Sequence, residues 1–112
     1  MRGVDAETRA LRHLEGRGLT LLVRNWRCKG GELDLVMRDG EALAVVEVRA
    51  RARSDYGSAL ESVDARKRGR LIHATQLFLA AHPEHGQREV RFDVVTVDGS
   101  ALRWLKAAFD GG

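Results

Sequence analysis

Residues 31–53, which read GELDLVMRDGEALAVVEVRARAR, decide the fold of this chain. Residues 32–38 alternate strictly between polar and apolar side chains, and residues 41–50 are rich in strand formers. Between them, Asp39-Gly40 is a favoured two-residue turn for antiparallel strands. The stretch is therefore predicted to form a β-hairpin.

The two faces of this hairpin differ sharply, because side chains alternate along a strand. One face carries only apolar residues, which we expect in the core: Leu33, Leu35, Met37, Ala44, Val46 and Val48. The other face carries Glu32, Asp34, Glu47 and Arg49. With Asp39-Gly40 as the turn, Glu32 lies opposite Glu47, and Asp34 lies opposite Val45. Asp34 is then a diagonal neighbour of Glu47, roughly 7–8 Å away between Cα atoms.

The acid-bearing face needs compensating positive charge, because like charges on neighbouring strands are destabilising. Arg27, Arg49 and Arg51 are near in sequence, so one interpretation is a solvated face with arginine ion pairs. The other is a divalent cation, since Mg²⁺ takes carboxylate oxygens and keeps water molecules for a substrate phosphate. The pattern leaves both interpretations open.

The rest of the chain predicts an α/β domain. Residues 5–17 are predicted as a helix and 19–27 as a strand. After the hairpin and a polar loop around 54–57, the pattern predicts a mostly helical stretch at 59–81 with a break allowed near Asp64, a strand at 88–97, and a short strand or helical turn at 102–109. This order predicts a central mixed β-sheet flanked by helices, in a single domain over residues 1–112.

Each predicted helix contributes one candidate residue. Glu7 lies on the apolar stripe of the first helix, four residues before Leu11. It either reaches a functional site or simply favours the positive end of the helix dipole. Lys67 begins the apolar stripe of the second helix, within the basic run ARKRGR at 65–70. That run is either a solvated turn or a phosphate-binding patch.

Composition excludes several classes of protein. The chain has 112 residues, 44% hydrophobic and 31% charged, which excludes a disordered polymer. Its single cysteine, Cys28, excludes an internal disulfide and a cysteine zinc site. No GxxxxGK[ST] motif is present, so a P-loop is excluded. Apolar runs too short for a membrane span and the lack of a signal-peptide pattern predict a cytoplasmic protein.

The charge balance is mildly basic, with a net charge of +3. Lysine and arginine together number 19, and 16 of these cations are arginine. Guanidinium groups bind phosphate oxygens in pairs, so this bias suits a nucleic-acid partner.

Four elements of the sequence together resemble the YraN family of bacterial proteins: Glu7, the motif GELDL at 31–35, the motif EVR at 47–49, and Lys67. That family resembles a branch of the PD-(D/E)xK nuclease superfamily and is similar to archaeal Holliday-junction resolvases. The resemblance runs over nearly the whole chain, from AETRALRHL at 6–14 through RNWR at 24–27 to RFDVV at 91–95. It implies a restriction-endonuclease-like fold.

The resemblance implies that Asp34 and Glu47 are the acids of a Mg²⁺ or Mn²⁺ site, assisted by Glu7 from the first helix. Glu32 belongs to the same motif and would be an accessory residue. Lys67 would face the site from the second helix.

Arg49 stands where related nucleases usually carry lysine. An arginine stays protonated and cannot act as a base. It can still stabilise negative charge that develops on a phosphate in the transition state. The resemblance therefore assigns Arg49 to the catalytic set with Asp34, Glu47 and Glu7, in a changed role.

The implied function is metal-dependent hydrolysis of phosphodiester bonds in DNA, including branched or junction DNA, by a protein that forms a homodimer. Basic side chains would hold flanking phosphates without reading sequence; these are Arg49, Arg51, Arg53, Arg66, Lys67 and Arg68. The main alternative is a non-catalytic nucleic-acid-binding module of the same fold. A structural or partner-binding protein with solvated acids is the third hypothesis.

Overall fold

The computed structural model describes residues 5–51 and 63–111, which form a five-stranded sheet flanked by two helices. In chain order the elements are α1 (Ala6–Gly16), β1 (Thr20–Cys28), β2 (Gly31–Asp39), β3 (Ala42–Arg51), α2 (Ala65–Ala81), a short 3₁₀ helix (Pro83–His85), β4 (Val90–Asp98) and β5 (Ala101–Phe109). The strands lie side by side in chain order. β3 and β4 are parallel, and the other neighbours are antiparallel. The predicted α/β class with a mixed sheet is confirmed, and the architecture is compatible with a restriction-endonuclease-like fold.

Both helices begin at an aspartate cap. The Asp5 side chain accepts a hydrogen bond from the Thr8 backbone N–H at 2.8 Å, and Asp64 accepts one from the Lys67 N–H at 3.0 Å. Each cap satisfies a backbone donor that the helix itself cannot pair. The break predicted near Asp64 is therefore the start of α2, and residues 59–62 lie outside the described residues. Within residues 5–51 and 63–111, no helix is long and apolar enough to cross a membrane.

Strand β3 lies in the middle of the sheet and is covered on both faces. Ala44 and Val46 pack in the cluster that includes Ala10 and Leu14 of α1. Their alternating neighbours Leu43 and Val45 pack in the cluster that includes three residues of α2: Leu71, Ala74 and Phe78. The acid-bearing face of the hairpin is thus also a core face over part of its length.

The prediction of a hairpin turn at Asp39-Gly40 is wrong. The turn residues are Gly40 and Glu41, and Asp39 pairs with Ala42 as the last residue of its strand. Gly40 has φ +61°, which suits the first central position of a type II′ turn. Asp39 stays in the strand, where its carboxylate contacts the Arg91 guanidinium at 3.0 Å.

The corrected turn shifts the hairpin register by two residues. The observed pairs run from Leu35–Val46 to Asp39–Ala42. Because the shift is even, every side chain keeps its predicted face. Continued by one step, the same register places Asp34 level with Glu47 rather than with Val45.

The C-terminal segment is a full nine-residue strand, β5, anchored by the buried Asp93. The Asp93 carboxylate accepts two hydrogen bonds from the Arg91 guanidinium, at 2.9 and 3.0 Å. It also accepts from the Trp104 indole N–H and from the Ala107 backbone N–H, both at 2.9 Å. Ala107 has φ +50°, and the β4–β5 register shifts between Phe92 and Val94. Asp93 therefore holds β5 through an irregular stretch of the ladder.

We expect Asp93→Ala to lower the free energy of unfolding by about 3–5 kcal/mol, because the Arg91 guanidinium and two N–H donors lose their acceptor. Urea denaturation followed by circular dichroism measures this change. Glu84→Ala, at a side chain that is 63% exposed, is the matched control and should change stability little. Equal stability of the two variants would contradict the anchoring role of Asp93.

Candidate active site

The candidate site lies where β2 and β3 run side by side, beyond the last registered pair of the hairpin. There the Asp34 side chain takes part in the strand pairing itself, because its Oδ2 accepts a hydrogen bond from the Val48 backbone N–H at 2.9 Å. The Asp34 carboxyl is also within hydrogen-bonding reach of the Glu47 carboxyl. The two acids predicted to share a face are thus brought together.

Glu47 is almost completely buried, with 4% of its surface exposed. Its Oε2 lies between two cations, 3.5 Å from Arg49 Nε and 3.5 Å from Lys67 Nζ. Arg49 reaches it from two residues along β3, and Lys67 reaches it from the first turn of α2. This contact places Lys67 beside Glu47, and its functional role stays a prediction.

Burial dominates the electrostatics of Glu47. Removal from water disfavours the charged carboxylate, and the adjacent Asp34 adds repulsion, so the pKa of Glu47 rises from 4.5 to about 7. Lys67 and Arg49 act in the opposite direction without cancelling this rise. At neutral pH the site therefore holds a carboxyl group poised between its charged and neutral forms.

The second oxygen of Glu47 has no ordinary partner. Oε1 is buried and meets no hydrogen-bond donor within the described residues. Asp34 and Glu47 can bond to each other only when one of the two carboxyl groups carries a proton, because two carboxylates are both acceptors. A proton donor or a cation placed at Oε1 would satisfy this oxygen. The pair of Asp34 and Glu47 can therefore take up either a proton or a cation.

The two other predicted acids have different partners. Glu7 contacts Arg24 Nε at 3.3 Å, and Glu32 contacts Arg27 Nε at 3.8 Å. No group of three or more His, Cys, Asp or Glu side chains suited to holding a metal occurs in residues 5–51 and 63–111. The structure thus brings Asp34 and Glu47 together but does not add Glu7 as a third acid. The metal-binding role of Glu7 stays a prediction.

The predicted phosphate-binding residues are distributed unevenly. Arg66 is exposed on α2. Arg68 turns away from the acids, donating to the Val63 carbonyl oxygen at 2.8 Å and lying over the Phe109 ring at 5.2 Å. Arg51 ends β3, but its side chain is not among those described, and Arg53 lies outside the described residues. The contacts of these arginines with nucleic acid stay predictions.

Two basic residues near the site were not among the named phosphate-binding residues, although Arg70 lies in the basic run 65–70 that was considered as a phosphate-binding patch. Arg27 and Arg70 line a cleft of about 720 Å³ together with Lys67. Arg70 follows Lys67 by three residues, so the helical period places both on one face. That spacing was a usable signal for Arg70. Arg27 carried no comparable signal, because the sequence does not show how the β1–β2 turn meets α2.

The chain is similar to known proteins over most of its length. Residues 6–97 match the model of the uncharacterised protein family UPF0102. The chain is 53% identical to a UPF0102 protein of Pseudomonas putida strain GB-1, over 96% of this chain and 92% of the relative. It is 52% identical to a UPF0102 protein of Pseudomonas fluorescens strain Pf-5, with the same shares. For a UPF0102 protein of Ectopseudomonas mendocina strain ymp the identity is 50%, over 96% and 93%.

We expect Glu47→Gln to change how stability depends on pH. Between pH 4.5 and about 7 the native Glu47 holds a proton that the unfolded chain has released, so its contribution to the free energy of unfolding falls as pH rises. Glutamine removes this loss. The free energy of unfolding of the variant should therefore rise relative to that of the wild type across this interval, by up to about 3 kcal/mol above pH 7.

Urea denaturation of both proteins at pH values from 5 to about 8 measures this difference, and comparing the two removes the shared contribution of the histidines. A stability difference between variant and wild type that does not grow from pH 5 to pH 8 would contradict the expectation. It would mean that pairing with Arg49 and Lys67 outweighs the burial of the charge.

Proposed function

This chain belongs to the UPF0102 family, and from that premise we propose that it is a Mg²⁺- or Mn²⁺-dependent endonuclease that hydrolyses DNA, with branched or junction DNA as its candidate substrate. One observation carries the proposal. A buried glutamate, Glu47, lies against a second acid, with one oxygen lacking a donor within the described residues. Such an arrangement is costly for a purely structural role, because buried charge that is incompletely paired destabilises the native state.

The donor set fits a divalent cation. Mg²⁺ is commonly bound by one or two carboxylates together with substrate phosphates and water, and Asp34 with Glu47 supplies such a pair. The unpartnered Glu47 Oε1 is available to a cation. When bound, the ion would lower the pKa of a water molecule and offset charge on the scissile phosphate. Glu7 contacts Arg24 through Oε1, so its part in this set stays a prediction.

The two cations beside Glu47 would have different roles in the reaction. Arg49 stays protonated and its planar guanidinium suits the oxygens of the scissile phosphate. Lys67 brings an amine to the same carboxylate from α2. A lysine amine can orient a water molecule and pass on a proton, which an arginine cannot. We assign to Lys67 the role that related nucleases give to the lysine at the position of Arg49.

The alternative is a nucleic-acid-binding module without catalysis. Arg49 favours it, because a guanidinium replaces the usual lysine and contacts Glu47 Oε2 at 3.5 Å. The retained acids argue against it, since carboxylates beside a phosphate weaken binding unless a cation lies between them. Metal-dependent cleavage separates the two.

We expect the protein to cleave at least one member of a panel of linear, flapped and four-way-junction DNAs when Mg²⁺ or Mn²⁺ is present, and to stop when EDTA is added. Glu47→Ala should abolish this cleavage because the cation loses a ligand. The same variant should bind DNA equally or slightly more tightly, because a negative charge beside the phosphate is gone. Gel-based cleavage and fluorescence anisotropy measure the two effects.

The control for Glu47→Ala is Glu84→Ala, at an exposed acid on the 3₁₀ helix. It should cleave like the wild type. Cleavage that persists in Glu47→Ala would overturn the proposed site. Metal-independent binding without cleavage of any DNA in the panel would favour the binding module.

Lys67→Ala and Lys67→Arg test the division of tasks. If the amine orients or passes a proton to water, both variants should lose about 10²-fold or more in kcat, since arginine restores only the charge. If Lys67 serves only as a positive charge, Lys67→Arg should retain most of the activity. Single-turnover cleavage at saturating enzyme gives the rate of the chemical step, and the pH profile of each variant shows whether a titrating group has been lost.

A further inference from the structure

A cleft of about 720 Å³ opens beside the acid pair, between the β1–β2 turn and the first turns of α2. Its lining includes three cationic side chains, Arg27, Lys67 and Arg70, against one carboxylate, Glu32. The volume is within the range of pockets that hold small ligands or parts of larger ones. Neither Asp34 nor Glu47 lines it, so it is a separate compartment that adjoins the candidate active site.

The backbone of the β1–β2 turn fixes one wall of this cleft. Gly31 approaches α2 so closely that a Cβ added there would lie 3.3 Å from the Arg70 carbonyl oxygen and 3.5 Å from Ala74 Cβ. Gly30 has φ +91°, a conformation that favours glycine. The turn is therefore packed directly against the helix, and it lines the cleft together with Lys67 and Arg70.

The charges in the cleft are available to a ligand. Arg27 is 78% exposed, and its contact with Glu32 is 3.8 Å long, so this ion pair is a weak surface contact. Arg70 is exposed on α2. Lys67 is shared, since it lines the cleft and also contacts Glu47 Oε2 at 3.5 Å. A negatively charged group in the cleft would thus lie next to the acid pair and meet a net positive lining.

We propose that this cleft binds a backbone phosphate of the substrate strand, next to the phosphate that reacts at Asp34 and Glu47. The inference rests on the proposed function and adds a subsite to it. Arg27 and Arg70 hold the phosphate, and Lys67 connects it to the site. The contacts are to the backbone, so they fix the position of the strand without selecting its sequence.

Arg70→Ala tests the subsite, with Arg12→Ala on the exposed side of α1 as the matched control. Binding of a short fluorescein-labelled DNA duplex is measured by anisotropy across a range of salt, with Ca²⁺ in place of Mg²⁺. Arg70→Ala should weaken binding roughly tenfold and reduce the log–log salt slope by about 0.9, the value for one duplex phosphate. Arg12→Ala should match the wild type.

Cys28 offers a second measurement that does not depend on activity. It lines the cleft, is partly exposed, and is the only cysteine in the chain. Saturating amounts of the same duplex should slow its alkylation by N-ethylmaleimide several-fold in the wild type and in Arg12→Ala. In Arg70→Ala, protection should need a higher DNA concentration.

These outcomes separate the cleft from the proposed nuclease activity. Protection of Cys28 without any metal-dependent cleavage would retain the cleft and overturn the nuclease. Cleavage with unprotected Cys28, or equal binding by Arg70→Ala and Arg12→Ala, would overturn the cleft and retain the nuclease. A protein that binds no DNA at low salt would overturn both.

Discussion

The covering of β3 on both faces is the constraint on which the site depends. A central strand flanked by α1 and α2 is buried over residues 43–47, so a glutamate at position 47 is removed from water by its place in the sheet. Glu47 therefore has a pKa of about 7, and two neighbouring cations partly compensate for the burial of its charge. Lys67 comes from the helix that covers this face, and Arg49 comes from the same strand. The site is in this sense a consequence of the layered architecture.

Local periodicity was enough to predict much of the fold and the pairing of the two acids. The alternation in 32–38 assigns Asp34 and Glu47 to one face, and that assignment survives a two-residue error in register because side chains repeat every second position. The turn itself could not be predicted, since Asp39 contacts Arg91, a residue on a strand far along the chain. Likewise, the hydrogen bonds that Asp93 accepts from Trp104 and Ala107 of β5 join distant residues, so no local sequence pattern predicts them.

The partners of long charged side chains were the least predictable part of the site. Glu7 has the spacing of a residue that faces the core, yet it pairs with Arg24 of β1. Arg68 belongs to a basic run but donates to the Val63 carbonyl oxygen. Such choices depend on which elements meet in space, which a helical or strand period does not encode. Binding of a cation, of DNA and of a second copy of the chain stays a prediction for a related reason. The periodicity of a sequence describes how the chain folds and does not identify what binds to it.

The two edge strands share a feature that bears on how copies of this protein meet. Against β2, the register of β1 shifts between Leu21 and Val23, and Asn25 has φ +55°. The outer strand β5 is interrupted near Ala107. A sheet is most easily extended by another chain along a flat, unbroken edge, and bulges disfavour that extension. Both margins of this sheet are thus protected from edge-to-edge aggregation. The same irregularities disfavour strand addition as the way in which two copies would associate.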